Sequence, residues 1–261
     1  MSIFSGTIFS ETLHMGTMIG VILPQDVRSR RVFDDTQGHG QGKPKTLILL
    51  HGLSDNWAAW PYRSRILSYA ESHGVAVIMP EVQRSFYQDM LNGERYFQYV
   101  ANELPLLAAD LFNISVAPDD LMVAGLSMGG YGALRCALTY PDRYCAVGAF
   151  SSACWIESLM THAQEEHAQW DYAPMVRGMF GNPPVIPEDA KIKTLAKRAA
   201  GSRLPIMMTC GTEDGLYPGN QAMFEELKAD GFNVTFDAWP GVHEWGFWDK
   251  SISMFLDRFA K

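Results

Sequence analysis

Apolar residues along this chain gather in short continuous blocks, and between the blocks they recur every three or four positions. The blocks read as strands buried on both faces and the spaced stretches as amphipathic helices, which predicts an α/β fold on a mostly parallel sheet flanked by helices. Two early runs, 3–10 and 18–23, alternate apolar with polar residues and read as antiparallel strands at the start of the sheet. Strands are expected over 46–50, 75–79, the run beginning at Leu121, 145–150, 205–211 and 233–239, those over 46–50 and 75–79 buried. Helices are expected over 63–73, ending near Gly74, and over 94–112, with Pro105 kinking the second. Three more are expected from Ser127 to about Tyr140, over 217–230 capped by Gly231, and from about Trp245 to Phe259. Between 151 and 200 the strand alternation stops, and Trp155, Met160, Met175, Met179 and Phe180 mix with Pro183, Pro184 and Pro187. That stretch reads as a helical cap inserted into a single domain spanning 1–261.

Composition narrows the function classes. The chain is 47% hydrophobic and 19% charged over 261 residues, enough for a substantial core. Its net charge of −8 and pI near 5.3, with no dense Lys/Arg block, argue against nucleic acid as a partner. No apolar run approaches the length of a membrane span, so no membrane partner is expected. Cys136, Cys145, Cys154 and Cys210 show no CxxC spacing and read as reduced thiols. No Lys or Arg precedes Arg28, and Gly6, Ser10, Glu11 and Gly16 break the early apolar residues, so a cytoplasmic location is expected. Homo-oligomerisation stays open.

Two stretches invite a ligand and fail on spacing. Gly38 to Pro44 looks like a phosphate loop, but Pro44 stands where Ser or Thr is needed and a strand follows rather than precedes it. His162 and His167, beside Glu165 and Glu166, are five positions apart, so on a helix they point about 140° from each other. No metal and no cofactor is expected.

The chemistry centres on Gly125-Leu126-Ser127-Met128-Gly129, where an apolar strand meets a helix. Glycines on either side of Ser127 let strand and helix approach closely around a sharp turn, the arrangement of a nucleophile elbow. The helix start offers free N–H groups to a developing negative charge, Met128 N–H first among them. A second donor is expected where the strand over 46–50 runs into His51-Gly52-Leu53, with Leu53 N–H pointing at the site. His51 itself reads as a structural residue bonding its own loop. Trp57, Trp60 and Tyr62 follow, and either wall a substrate pocket or pack the loop.

A serine hydroxyl needs a base within hydrogen-bond reach, and that base needs an orienting acid. Past the ends of the later strands lie Asp214 and His243, so the order along the chain is Ser, Asp, His. Glu213 adjoins Asp214 and only one of them can meet the imidazole; the shorter Asp214 fits better. Glu244 is too close in sequence to His243 to orient it.

The chain resembles the esterase D / putative esterase family of α/β-hydrolases, close to its tributyrin-esterase-like members. The matching stretches are Phe9-Ser10-Glu11-Thr12-Leu13, Val21-Ile22-Leu23-Pro24, Leu50-His51-Gly52-Leu53-Ser54-Asp55-Asn56, Gly125 to Ala133, Cys210-Gly211-Thr212-Glu213-Asp214, His243 and Trp245. The resemblance implies a serine carboxylesterase acting on short acyl esters, acetyl to butyryl, without a metal and through the triad above. A small-molecule ester is then the expected partner. Feruloyl or acetyl-sugar esterase activity is the alternative, with Trp57, Trp60 and Trp155 as candidate substrate-binding residues. S-formylglutathione hydrolases of the family usually carry a cysteine in the loop that here reads Leu53-Ser54-Asp55-Asn56.

Overall fold

Eight strands form one sheet: β1 (Ser2–Ser10), β2 (Met15–Leu23), β3 (Thr46–Leu50), β4 (Ala76–Pro80), β5 (Leu121–Leu126), β6 (Ala146–Phe150), β7 (Ile206–Gly211) and β8 (Val234–Trp239). Their spatial order is β1-β2-β4-β3-β5-β6-β7-β8. The structure, a computed structural model, describes residues 1–25, 42–164 and 172–260. The basic turn 28–31, most of the glycine-rich loop 38–44, and Glu165, Glu166, His167 and Trp170 lie outside the described residues.

Strands β3 to β8 run parallel, while β1 and β2 are antiparallel to their neighbours. Every residue of β3 to β7 is buried, as a sheet covered on both faces requires. The chain leaves β3 for β4 on one side and returns to β5 on the other. That reversal opens a crevice at the C-terminal ends of β3 and β5, where open α/β sheets bind ligands. One face of the sheet packs under the helix Met128–Thr139, and the other under Trp245–Phe259.

The β1–β2 turn is tied to the body of the molecule by one carboxylate. Glu103 accepts from Ser10 Oγ (2.6 Å) and from the amides of Glu11 (2.7 Å) and Thr12 (3.2 Å). Ser10 Oγ also accepts from Leu13 N–H, so this motif secures a turn at the far edge of the sheet from β8.

Two helices differ from the sequence expectation. The single helix expected over 63–73 is two, Ala59–Arg63 and Ile66–His73, because Ser64 is extended and Arg65 N–H is taken by Asp249 of the last helix (2.7 Å). Within 96–112 the kink takes the form of a π-turn, Tyr99–Glu103, followed by the helix Leu104–Phe112. Pro105 has no N–H for the Ala101 carbonyl, and Arg143 Nη1 donates to that oxygen instead (3.0 Å).

Segment 151–200 contributes the helices Ser158–His162, Ala173–Phe180 and Ile192–Arg198, with a 3-10 turn at Glu188–Ala190. It is anchored to the elbow helix by Tyr131, whose hydroxyl donates to Ala190 O (2.6 Å) and accepts from Gln88 Nε2 (2.8 Å).

Candidate active site

Strand β5 ends at Leu126, and Ser127 follows with φ 53° and ψ −116°. A side-chain-bearing residue at positive φ costs of order 1–3 kcal/mol and persists only where its surroundings hold it. Here Ser127 N–H donates to Phe150 O (2.8 Å), and its carbonyl accepts from Ala153 N–H (3.1 Å). The flanking glycines are a packing requirement. A Cβ on Gly125 would lie 2.5 Å from the Gly129 backbone, and one on Gly129 would strike the Leu50 carbonyl of β3.

Beyond β7, Asp214 is buried, and its two carboxylate oxygens have different partners. Oδ1 accepts from Leu216 N–H (2.9 Å) and Oδ2 meets His243 Nδ1 (2.8 Å). The other ring nitrogen, Nε2, lies 3.1 Å from Ser127 Oγ. Since a carboxylate only accepts, Nδ1 carries the proton and Nε2 is free to accept from the serine hydroxyl. Burial alone would raise the Asp214 carboxyl, but the bonds to His243 and to the Leu216 amide outweigh it and hold the pKa below the usual range.

The two loops that carry this pair are locked together. A Cβ on Gly211 would collide with the Gly241 carbonyl, so the ends of β7 and β8 touch backbone to backbone. Glu213 N–H donates to Gly241 O (3.1 Å), and the Glu213 carboxylate accepts from Gly241 N–H. The adjacent acids therefore divide the work: Asp214 meets the imidazole, and Glu213 holds the loop two residues before it. The ring of His243 also abuts Trp248 edge-on, with centroids 4.8 Å apart.

His51 is fully buried. Val82 N–H donates to its Nε2 (3.2 Å), so Nδ1 bears the proton and donates to Gly52 O (2.8 Å). Burial lowers its pKa, and with Nε2 accepting an amide the Glu81 carboxylate 3.7 Å away is not an ion-pair partner. This neutral ring bonds its own loop. Tyr87, at φ 51°, donates from below to His51 O (2.9 Å). The loop's next amide, Leu53 N–H, has no acceptor among the described residues, nor has Met128 N–H.

The aromatic candidates separate. Trp60 has no exposed surface and donates its indole N–H to Leu50 O (3.0 Å), so it packs the loop and cannot wall an open pocket. Trp57 is half-buried against Gly20 of β2, and its amide donates to Glu81. Trp155 is half-buried with its indole N–H on Gly219 O (2.8 Å). Tyr62 is exposed. Sequence reasoning missed the Glu213 clamp, Tyr87 and Asn220. The buried Asn220 side chain pairs with both backbone groups of Ser152 (3.0 and 2.9 Å) and secures the segment beside the elbow. No local pattern announces such partners, which lie far apart in the chain.

Among the described residues no group of three or more His, Cys, Asp or Glu side chains is placed to hold a metal. Burial pushes the Cys136 and Cys210 thiols up to about 12, so neither offers a thiolate at neutral pH.

The mostly parallel eight-stranded sheet, with a serine on a tight turn at its switch point, defines an α/β-hydrolase. Comparison with known proteins gives the family: residues 19–259 match the model described as Putative esterase, and the chain belongs to that family. An acetyl esterase of Caldicellulosiruptor saccharolyticus is 32% identical over 268 residues, covering 100% of this chain and 99% of the relative. Among solved structures, the fluorophosphonate-binding serine hydrolase FphF of Staphylococcus aureus superimposes with TM-score 0.87 at 28% identity, over 100% of this chain and 98% of its own. The S-formylglutathione hydrolase FrmB of the same organism gives 0.83 at 28%, over 100% and 99%. The protein is a carboxylic ester hydrolase. Among the described residues no helix is long and apolar enough to cross a membrane.

Proposed function

We propose that this protein hydrolyses short-chain acyl esters, acetyl to butyryl, with Ser127 as nucleophile, His243 as base and Asp214 as orienting acid. The observation that carries the reading is the unbroken chain of contacts from Ser127 Oγ to His243 Nε2 and from Nδ1 to Asp214. Nε2 takes the hydroxyl proton as Oγ attacks the ester carbonyl, and the Asp214 carboxylate stabilises the imidazolium that forms. The tetrahedral oxyanion sits on the Leu53 and Met128 amides, each worth about 3 kcal/mol of transition-state stabilisation. Collapse transfers the proton from Nε2 to the leaving alcohol and leaves an acyl-serine, which water hydrolyses by the same path in reverse.

The acetyl esterase relative, matched end to end, supports the short acyl range. The half-buried Trp57 and Trp155 favour acetylated sugars as a second substrate class, as surfaces for the sugar ring. In this proposal segment 151–200 forms a cap within one domain, and the free cysteines fit a cytoplasmic location. The test is hydrolysis of p-nitrophenyl esters from acetate to octanoate by wild type and Ser127→Ala. Rates that fall with acyl length and vanish in the variant are expected. Equal rates in the two proteins would overturn the assignment.

A further inference from the structure

The sheet ends in two edge strands, β1 and β8, and they are built differently. Strand β8 carries Asp237, ion-paired with Arg258 of the last helix (3.3 Å). Strand β1 has no such protection. It runs nine residues without a charge or a proline, and its pairing with β2 is unbroken from Ser2 against Leu23 to Ser10 against Met15. Residues 3–7 and Phe9 are exposed, and Ile3, Phe4 and Phe9 show 45%, 53% and 59% of their surface. Among the described residues, β2 is the only strand paired with it. A long, uncharged, apolar edge is a template for a further strand.

Gly6 lies at the midpoint of β1, and a single copy of the chain gives it no task. A Cβ there would meet no atom within 4 Å, and its backbone is not left-handed. Glycine inside a strand weakens it, and where no bulge or bend calls for it, it marks the close approach of another backbone.

The residues around Gly6 read alike in both directions. Ser5 mirrors Thr7, Phe4 mirrors Ile8, and Ile3 mirrors Phe9. An antiparallel neighbour of the same sequence, with the two-fold axis at Gly6, therefore sets hydroxyl against hydroxyl and apolar against apolar at each of these positions. It brings no like charges together. Facing residues differ in number by an even amount, so the backbone groups that point away from β2 in one copy meet their counterparts in the other. The exposed side chains and the backbone beside them amount to about 500 Å² per copy, so the pair buries roughly 1,000 Å², the lower bound of a specific interface.

We propose that β1 is the interface of a homodimer, in which two copies join edge to edge about Gly6 and form one continuous sheet. Strands β2 and β4 lie between β1 and β3, so the candidate site of each copy stays open.

Sedimentation velocity of the full chain over about 1–200 µM reads the mass. Wild type is expected to rise from 29.1 kDa toward twice that value, with a dissociation constant of about 10 µM. Phe4→Lys places on the strand the charge that guards natural edges, and is expected to weaken the dimer at least tenfold. A thermal melt shows that this variant is folded. Cysteine pairs under mild oxidation read the register without relying on it. Ser5→Cys mixed with Thr7→Cys is expected to give a disulfide-linked dimer several-fold more readily than either variant alone, because those two positions face each other. Wild type is the control for the partly exposed Cys145. A wild-type mass that stays at 29.1 kDa throughout would overturn the proposal and leave the edge to a different partner. A dimer unaffected by folded Phe4→Lys would place the interface elsewhere. Cross-linking no greater in the mixture than in the single variants would refute the axis at Gly6.

Discussion

Replacing Asp214 by Asn tests the electrostatic argument because the structure dictates how the new amide must sit. Asp214 Oδ1 is held by Leu216 N–H at 2.9 Å, and only an oxygen can accept there. The Asn carbonyl therefore takes that place and its NH2 faces His243 Nδ1. A donor now meets the nitrogen that carries the proton in the productive tautomer. The imidazole responds by moving its proton to Nε2, which then donates to Ser127 Oγ and cannot act as base. Restoring the productive tautomer forfeits a charge-assisted hydrogen bond of about 1.5–3 kcal/mol and leaves a buried donor unpaired at about 1–3 kcal/mol. Together these amount to roughly 2.5–6 kcal/mol, or about 10² to 10⁴ in kcat/KM. The assay is kcat/KM for p-nitrophenyl acetate at pH 7.5, with a thermal melt to show that the variant is folded. Asp214→Ala leaves the imidazole free to choose either tautomer and is expected to retain more activity than Asp214→Asn. A folded Asp214→Asn within tenfold of wild type would refute the reasoning.

Other consequences of the packing are open to measurement. Gly211→Ala sets a Cβ against the Gly241 carbonyl and must part the loops that carry Asp214 and His243, so both a lower melting temperature and at least a tenfold loss of kcat/KM are expected. Buried His51 stays neutral in the folded state, with its pKa below the unfolded value of 6.5. The unfolded chain then binds the extra proton, so stability is fully present above about pH 6.5 and declines as pH falls below it. Urea melts from pH 8 to 5 should show this slope, and His51→Gln should flatten it while losing about 1–3 kcal/mol throughout. Glu103, also held below its usual pKa by its bonds to the β1–β2 turn, is expected to matter for stability and not for turnover. Glu103→Ala should lower the melting temperature, leave kcat/KM within twofold, and add nothing to acid sensitivity once the carboxyl is protonated.

Much of this protein is local and therefore legible in the sequence. Strands β3 to β7 are continuous apolar blocks because both faces of the sheet are covered, and hydrophobicity alone marks them. The elbow is a strand, two glycines around a serine, and a helix start, all within ten residues; close backbone packing needs those glycines wherever the turn occurs. The role of His51 is local too, since its proton goes to the neighbouring carbonyl. Helix termini at Gly74 and Gly231 follow from left-handed backbone that glycine adopts at low cost.

What the tertiary structure decided are the pairings between distant segments. Chain order could name Glu213 and Asp214 as a pair of acids, but their division of labour depends on how closely Gly211 and Gly241 bring β7 and β8 together. Trp60 read equally well as pocket wall or packing, and only its burial against Leu50 and Trp245 assigns it to packing. The π-turn before Pro105 needed Arg143, 42 residues from Ala101, to donate to the carbonyl that Pro105 leaves without an amide. Periodicity reports which face of an element is apolar; it carries no information on which polar group from elsewhere will meet an orphaned carbonyl or a buried carboxylate. Those meetings are set by the packing of the whole sheet.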